Sequence, residues 1–429
     1  MTASPRPPFN ELVATSAKVG CLSFGGPAAQ IALMHRIYVD EKKWIDEARY
    51  LHALNYCMLL PGPEAQQLAT YVGWLLHGVK GGLAAGLLFI LPGALVVLCL
   101  SWLYAAHGSA PLVEAAFYGV RAAVLALVVE ALWRISKRAL KKRDDPFIAI
   151  AAFVALTLFA APFPAVILIA GAYGAWRART ETRFLPDQKS DDERSFRRLV
   201  RQVLLWAGVW AAPIIVAAAT VGPDHTLTRV GVFFSKLAVV TFGGAYAVLA
   251  WLREQAVNVE GWLSSAQMID GLGLAETTPG PLVLVNQFVG FMAGYQEPDG
   301  GIALAIAGAA MASWATFAPS FLWIFAGAPF AEALRRNRRA AGALSAITAA
   351  VLGVIANLAF WFAAHVLFSR TSEVRLSTVI IAAPDISTFD FGAATIGIVA
   401  AVALMRFHAN AIVVIGASLL AGILLRSLA

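Results

Sequence analysis

The chain has 429 residues, of which 59% are hydrophobic and 14% are charged, and its formal net charge is +7. This composition excludes an ordinary water-soluble globular protein, and we predict an all-α polytopic membrane protein. The basic residues sit in short loops between apolar segments, which is typical of positive-inside orientation and gives no basis for nucleic-acid binding.

Eight apolar tracts follow one another along the chain, and several approach the roughly 20 residues that cross a bilayer as a helix. They are residues 82–106, 112–133, 147–176, 203–221, 302–327, 341–368, 391–405 and 409–425. We expect about 10–12 crossings, with some helices broken or re-entrant. Tract 147–176 is predicted to form two short helices, because Pro162 and Pro164 interrupt it.

A polar stretch separates two halves. Residues 177–201 carry eight Arg or Lys against five Asp or Glu, and an apolar tract follows them. We predict a first repeat at 1–176, a cytoplasmic linker with a joining helix at 177–228, and a second repeat at 229–429.

Residues 18–63 match residues 236–281 at a constant offset of 218, with 13 identities in 46 positions. The copies share a Phe-Gly-Gly motif, a Pro-Gly-Pro motif and a lysine, all within apolar sequence. Glycine pairs and prolines interrupt membrane helices, and duplicated interrupted helices indicate a transporter site.

The loop charges predict that the two repeats have opposite orientations. In the first repeat, loop 107–111 has no Arg or Lys and loop 134–145 has six. In the second repeat, loop 335–339 has four arginines and loop 369–389 has two. Because Arg and Lys mark cytoplasmic loops, equivalent loops of the two repeats face opposite sides.

The two Phe-Gly-Gly motifs are candidate helix breaks that bind an anion. Glycine pairs free backbone N–H groups, and an oxyanion is a suitable partner for them at the positive end of a half-helix. A lysine seven residues earlier lies on the same helical face in each copy. Two alternatives stay open, namely close helix packing by the glycines and snorkelling of the lysines to an interface. The predicted substrate-binding residues are Lys18, Phe24, Gly25, Gly26, Gln30, Lys236, Phe242, Gly243 and Gly244.

The Pro-Gly-Pro motifs are predicted to be re-entrant turns, with a plain loop between two crossings as the alternative. The six residues are Pro61, Gly62, Pro63, Pro279, Gly280 and Pro281. Each turn has a carboxylate beside it. Glu64 is predicted to cap the start of a helix, and Glu276 is the candidate for proton coupling.

Motifs of several enzyme classes are missing from the sequence. It contains no HExxH, no GxSxG, no Walker A loop and no GxGxxG after a strand. We therefore predict that the protein is not an enzyme, has no catalytic residues, and requires neither a metal nor a cofactor.

Read together, these residues resemble the chromate ion transporter (CHR) family in its long, two-domain form. The first half carries the Phe-Gly-Gly-Pro motif at 24–27 with Gln30, Trp44 and the Leu-Pro-Gly-Pro turn at 60–63. The second half carries Thr-Phe-Gly-Gly-Ala at 241–245 and Glu-Thr-Thr-Pro-Gly-Pro at 276–281. The resemblance covers both repeats and leaves out the 177–228 linker. Pro27 has Ala245 as its counterpart, which leaves open whether both breaks bind ligand.

The resemblance implies a multi-pass carrier in the bacterial inner membrane that exports chromate and confers resistance to it, energised by the membrane gradient. Chromate is the expected substrate, and sulfate is a further candidate because it is also a tetrahedral dianion. Protons, membrane lipids and a second copy in a homodimer complete the candidate partners. An oxyanion importer or exchanger is the alternative, and an anion channel or an intramembrane enzyme is a weaker one.

Overall fold

The computed structural model describes residues 6–180, 193–242, 245–328, 338–376 and 379–428. The helices of the first half and the joining helix follow in chain order: α1 (Phe9–Leu22), α2 (Gly26–His35), α3 (Glu47–Cys57), α4 (Glu64–His107), α5 (Pro111–Ala139), α6 (Asp145–Phe159), α7 (Phe163–Thr180) and α8 (Glu193–Thr220).

The second half repeats this order. Its helices are α9 (Thr226–Val240), α10 (Ala245–Arg253), α11 (Ser265–Thr277), α12 (Val285–Tyr295), α13 (Ile302–Gly327), α14 (Arg338–Leu367), α15 (Phe391–Phe407) and α16 (Ala411–Leu428). A π-helical turn follows α2 at Arg36–Glu41 and another follows α10 at Glu254–Val259, so the repeats agree in this detail too.

Helices dominate the described residues, and the predicted all-α membrane fold is confirmed. Five of the described helices are long and apolar enough to cross a membrane, and five shorter apolar helices accompany them. Joining helix α8 exposes large apolar side chains such as Ile215, which is 63% exposed, as a lipid-facing helix would. The predicted number of crossings stays a prediction.

The chain between α14 and α15 contains a β-hairpin that the sequence analysis did not predict. Strand β1 (Thr371–Leu376) pairs antiparallel with β2 (Val379–Pro384), with Thr371 opposite Pro384. The two-helix interpretation of tract 147–176 is confirmed, because α6 ends at Phe159 and the backbone turns at Ala160, with φ 45°, before α7.

Helix α4 reverses direction near its N-terminal third. His77 and Gly78 have non-helical backbone angles, and Gly78 has φ 63°. A Cβ on Gly73 would lie 2.3 Å from the carbonyl oxygen of Gly81. In a straight helix eight residues rise about 12 Å, so this approach requires the chain to fold back on itself. The glycines provide the room for this contact.

The second half contains the same pair of segments as two separate helices. A Cβ on Gly290 of α12 would lie 2.4 Å from the carbonyl oxygen of Gly308 of α13. Each half thus places a Pro-Gly-Pro turn at the start of a short segment that packs against a longer helix. Two hydrophobic cores hold these segments, and helix α13 contributes to both of them.

Candidate functional site

The first Phe-Gly-Gly motif ends one helix and begins another. Helix α1 ends at Leu22 and α2 begins at Gly26. Between them Gly25 has φ 82° and ψ 23°, and Gly26 has φ 75°. A residue with a Cβ adopts these left-handed values only at a cost, so the glycines make the break. The predicted interruption of the first helix is confirmed.

Helix α2 starts without a capping side chain, and Pro27 near its start has no N–H group. In the described part of the chain, no group accepts a hydrogen bond from the backbone N–H of Gly25, Gly26 or Ala28. Uncapped N–H groups at a helix start carry partial positive charge. The start of α2 can therefore receive a negatively charged partner.

The second Phe-Gly-Gly motif also interrupts a helix. Helix α9 ends at Val240, Thr241 is extended with φ −75° and ψ 97°, and α10 begins at Ala245. Gly243 and Gly244 lie outside the described residues, so the binding role predicted for them stays a prediction.

Both Pro-Gly-Pro motifs form turns between helices. Gly62, with φ 111°, joins α3 to α4, and Gly280, with φ 94°, lies between α11 and α12. Glu64 is the first residue of α4, as expected for a helix start, but the capping role predicted for it is wrong: the N-cap residue is Pro63, and no side chain makes a capping hydrogen bond there. Whether these turns enter the membrane from one side stays a prediction.

Each turn is bound to the break of the other repeat. The Gly280 N–H donates to the Ser23 carbonyl at 2.7 Å, and the Gly62 N–H donates to the Thr241 carbonyl at 2.9 Å. In each turn this glycine carries the N–H between two prolines that have none. Both residue pairs are related by the offset of 218, so the bonds are equivalent and reciprocal. This pairing supports a two-fold relation between the repeats.

Gln30 reinforces one of these contacts. Its Nε2 donates to the Gly280 carbonyl at 2.7 Å and to the Ser23 carbonyl at 3.3 Å, and the residue is fully buried. Its Oε1 has no hydrogen-bond partner in the described part of the chain. Gln30 therefore joins the two repeats and leaves a polar atom available near their contact. The equivalent position in the second repeat is Val248, so this contact is not duplicated.

A cavity of about 240 Å³ lies where the two breaks meet, and we call it the central cavity. The first repeat supplies Pro27 and Ala28 from the start of α2, together with Gly62 and Glu64. The second repeat supplies residues beside its own break, and α5 and α14 complete the wall. The remaining lining residues are Cys57, Met58, Leu60, Arg134, Ile135, Ala139, Phe242, Ala245, Tyr246, Leu344 and Thr348.

Arg134 brings positive charge to the central cavity. It lies on α5, and its guanidinium is 3.5 Å from Glu130, one helical turn earlier. The Tyr246 hydroxyl, also on the wall, donates to the Glu276 carboxylate at 2.5 Å. The Arg134 guanidinium and the uncapped amides at the start of α2 provide hydrogen-bond donors for a small oxyanion.

The structure separates the residues predicted to bind the substrate into two groups. Phe242 lines the central cavity, and Gly25, Gly26 and Gln30 lie beside it at the first break. The side chains of Lys18 and Lys236 are exposed, and neither lysine lines the cavity; Phe24 does not line it either. The lysines' predicted contribution to binding has no support in this geometry, while snorkelling agrees with their exposure.

Sequence reasoning missed Arg134 and Tyr246. The loop charges predict only an orienting role for Arg134, but α5 continues to Ala139 and places Arg134 on the wall of the central cavity. Tyr246 lies four residues after Phe242, one turn beyond the second break. That spacing was the available signal, because a half-helix beginning at a break presents its first turn to the same space.

We expect Gly26→Leu to abolish function and Gly26→Asn to retain most of it. A Cβ at this position would meet nothing within 4 Å, so the constraint is the left-handed φ of 75°. Leucine in that region costs about 1–2 kcal/mol, whereas asparagine visits it routinely. Substrate flux and thermal unfolding of both purified variants are the measurements. If the two variants had the same flux and the same unfolding temperature, the left-handed backbone angle of Gly26 would not be the reason that glycine is needed there.

Comparisons with known proteins show which family the chain resembles. A family model described as Chromate transporter matches residues 10–175 and 228–423. "Chromate transport protein" from Pseudomonas aeruginosa is 34% identical over 367 residues, covering 82% of this chain and 81% of that protein. A protein of the same name from Cupriavidus metallidurans is 28% identical over 381 residues, covering 88% and 87%.

"Probable chromate transport protein" from Synechococcus elongatus is 30% identical over 369 residues, covering 85% of each chain. No solved structure matches this chain. The two stretches matched by the family model correspond to the two halves and leave the linker between them unmatched.

Proposed function

Because this chain belongs to the chromate transporter family, we propose that it is a secondary active carrier that exports chromate across the bacterial plasma membrane. Relatives named as chromate transport proteins favour a transporter over an enzyme. Export by this carrier would confer resistance, since chromate would accumulate less in the cell.

The central cavity is the observation on which this proposal rests. It lies between the two helix breaks, and its volume of about 240 Å³ holds a four-oxygen anion together with several waters. The start of α2 contributes partial positive charge, and Arg134 contributes a guanidinium that also pairs with Glu130. Together these groups favour binding of a dianion.

The contacts between the repeats support alternating access as the mechanism. Two equivalent hydrogen bonds join the Pro-Gly-Pro turn of each repeat to the break of the other. Rocking of one repeat against the other would strain one of these contacts while preserving its counterpart, because the two are related by the pseudo-two-fold axis. Access to the cavity would then open on one side at a time.

The direct test is chromate and sulfate flux in vesicles containing the purified protein, with an imposed pH difference. We expect chromate movement that the gradient drives, and counterflow of labelled against unlabelled substrate. Flux without counterflow would indicate a channel. Sulfate flux without chromate flux would assign the sulfate alternative, and inward movement alone would contradict export.

Glu276 is the residue we propose for proton coupling. Its carboxylate accepts a hydrogen bond from the hydroxyl of Tyr246, a residue that lines the central cavity. Binding or loss of a proton at Glu276 would therefore alter a hydrogen bond made by a residue of the cavity wall. We expect Glu276→Gln to reduce the stimulation of flux by a pH difference about ten-fold or more, because glutamine exchanges no proton. Exchange of labelled for unlabelled chromate, which moves no net proton, should continue.

Vesicles with and without a pH difference provide the measurement, and Tyr246→Phe is the companion variant. It keeps the ring and the carboxylate but removes the hydrogen bond, so we expect a smaller loss of pH stimulation. Unchanged stimulation in Glu276→Gln would exclude this residue from the coupling.

A further inference from the structure

A second cavity, of about 720 Å³, lies at the far end of the helices that line the central cavity. Its polar wall contains Arg253, Asn258, Asn357, Trp361, His365 and Ser372. Unlike the central cavity, it contacts neither glycine break nor Pro-Gly-Pro turn in the described part of the chain.

Two helices run from one cavity to the other. Helix α10 places Tyr246 on the central cavity and ends at Arg253 on the second. Helix α14 places Thr348 on the central cavity and Asn357 on the second, nine residues later. At 1.5 Å per residue, about 13 Å of helix separates them. The cavities therefore lie in series along the same two helices.

An apolar layer lies between the cavities. We define it as four side chains that belong to one hydrophobic core: Val248, Leu249, Val351 and Ile355. All four are at most 2% exposed. A layer of this kind disfavours the passage of water and ions.

The second cavity offers a cation and several neutral donors. The guanidinium of Arg253 stacks on the Trp361 ring at 5.0 Å and donates to Glu254 at 3.0 Å. The amide of Asn258 donates to the same carboxylate at 2.9 Å, and Asn357 donates to Thr157 at 2.9 Å. Because Glu254 is 46% exposed, an incoming dianion can replace it on Arg253 while Glu254 turns to solvent.

We propose that the second cavity is an outer oxyanion site, separated from the central cavity by the apolar layer and occupied before or after it during transport. This inference rests on the proposed function and adds a second binding site to the proposed transport pathway. Binding here is weaker than in the central cavity, since the π-helical turn that continues α10 ends at Val259 on this wall, and the negative end of its dipole offsets part of the charge of Arg253. A weak outer site suits a carrier that must release its substrate.

The test measures thiol labelling at the second cavity, with sulfate or molybdate as the probe because these tetrahedral dianions do not oxidise thiols. In a full-length protein with Cys21, Cys57 and Cys99 replaced by alanine, Ser372→Cys places one thiol on the cavity wall. Ser387→Cys is the control, because Ser387 is exposed near the same hairpin and does not line the cavity.

We expect either anion, compared with chloride at equal ionic strength, to slow maleimide labelling of Ser372→Cys about five-fold and to leave Ser387→Cys unchanged. Arg253→Gln should remove this protection, whereas Arg406→Gln, a charge change at an exposed arginine outside both cavities, should retain it. If Arg253→Gln does not yield folded protein, Asn357→Ala tests the same wall and should weaken the protection.

Arg134→Gln separates this inference from the proposed function. Protection at Ser372→Cys that persists in Arg134→Gln supports a second site, even if chromate flux is lost. Protection that disappears in Arg134→Gln would show that the anion acts through the central cavity, and it would overturn the inference. Absence of protection in the parent Ser372→Cys protein, while vesicles still carry chromate, would also overturn it and leave the proposed function intact.

Discussion

Replacing Arg134 by glutamine is expected to raise the chromate concentration for half-maximal flux about ten-fold or more. A charge-assisted hydrogen bond contributes about 1.5–3 kcal/mol, and 1.4 kcal/mol corresponds to about ten-fold in affinity. The Arg134 side chain is 40% exposed, so solvent screens part of its charge and places the effect near the lower end. Initial chromate flux in vesicles at several concentrations is the measurement.

Lys137→Gln is the matched control for this prediction. It removes the same charge from the same helix, one turn later, at a residue that stacks on Trp133 outside the central cavity. We expect its half-maximal concentration to change less than two-fold, because a charge on the exposed face is screened. Arg134→Lys should fall between the parent protein and Arg134→Gln, since lysine keeps the charge without the planar fork. If Lys137→Gln and Arg134→Gln raised the half-maximal chromate concentration equally, the effect would come from the overall charge of the protein and not from binding by Arg134.

Breaking the ion pair between Arg121 and Asp270 is expected to lower the free energy of unfolding by about 3 kcal/mol. Asp270 is 1% exposed, and the Arg121 guanidinium donates hydrogen bonds to its two carboxylate oxygens at 2.7 and 2.8 Å. Tyr104 donates to the same carboxylate at 2.7 Å. Arg121 lies on α5 of the first repeat and Asp270 on α11 of the second, so the pair fastens the repeats together. Replacing Arg121 leaves the buried Asp270 carboxylate without its partner, and replacing Asp270 does the same to the partly buried Arg121.

Thermal unfolding of Arg121→Met, Asp270→Asn and Arg121→Met/Asp270→Leu in detergent measures this effect. We expect each single variant to be destabilised and the double variant to recover part of the loss: a buried ion pair and an apolar pair of similar volume are often close in stability, but the Tyr104 hydroxyl loses its acceptor. A double variant as unstable as the sum of the single variants would show that the two side chains act independently.

The helix interruptions could be predicted from the sequence because their causes are local. Two adjacent glycines, or a glycine between two prolines, remove the backbone preference and the donors that continue a helix. The structure accordingly ends α1 at Leu22 and α9 at Val240, and it places Gly62 and Gly280 in turns. The bend of tract 147–176 follows from the same chemistry at Pro162 and Pro164.

The hydrogen-bond acceptors of the glycines in these turns could not be predicted. The sequence shows that Gly62 and Gly280 each retain an N–H group, but it contains no information on which carbonyl accepts it. The acceptors, Thr241 and Ser23, lie 179 and 257 residues away along the chain, in the opposite repeat. Long-range contacts of this kind depend on how two complete repeats dock, because no local preference brings such distant groups together.

By itself, the sequence determined that this protein is a helical membrane protein, that its repeats carry helix breaks at equivalent positions, and that it belongs to a family of chromate transporters. The apolar composition decides which solvent the helices prefer, and glycine and proline change the backbone at their own positions. Neither effect depends on which distant residues pack nearby. Only the tertiary structure decided which side chains face the central cavity: it brought Arg134 and Tyr246 to the wall and left Lys18 and Lys236 exposed. The physical reason is that a helix can turn any charged residue inward or outward with the same backbone, and packing against the other helices selects its rotation.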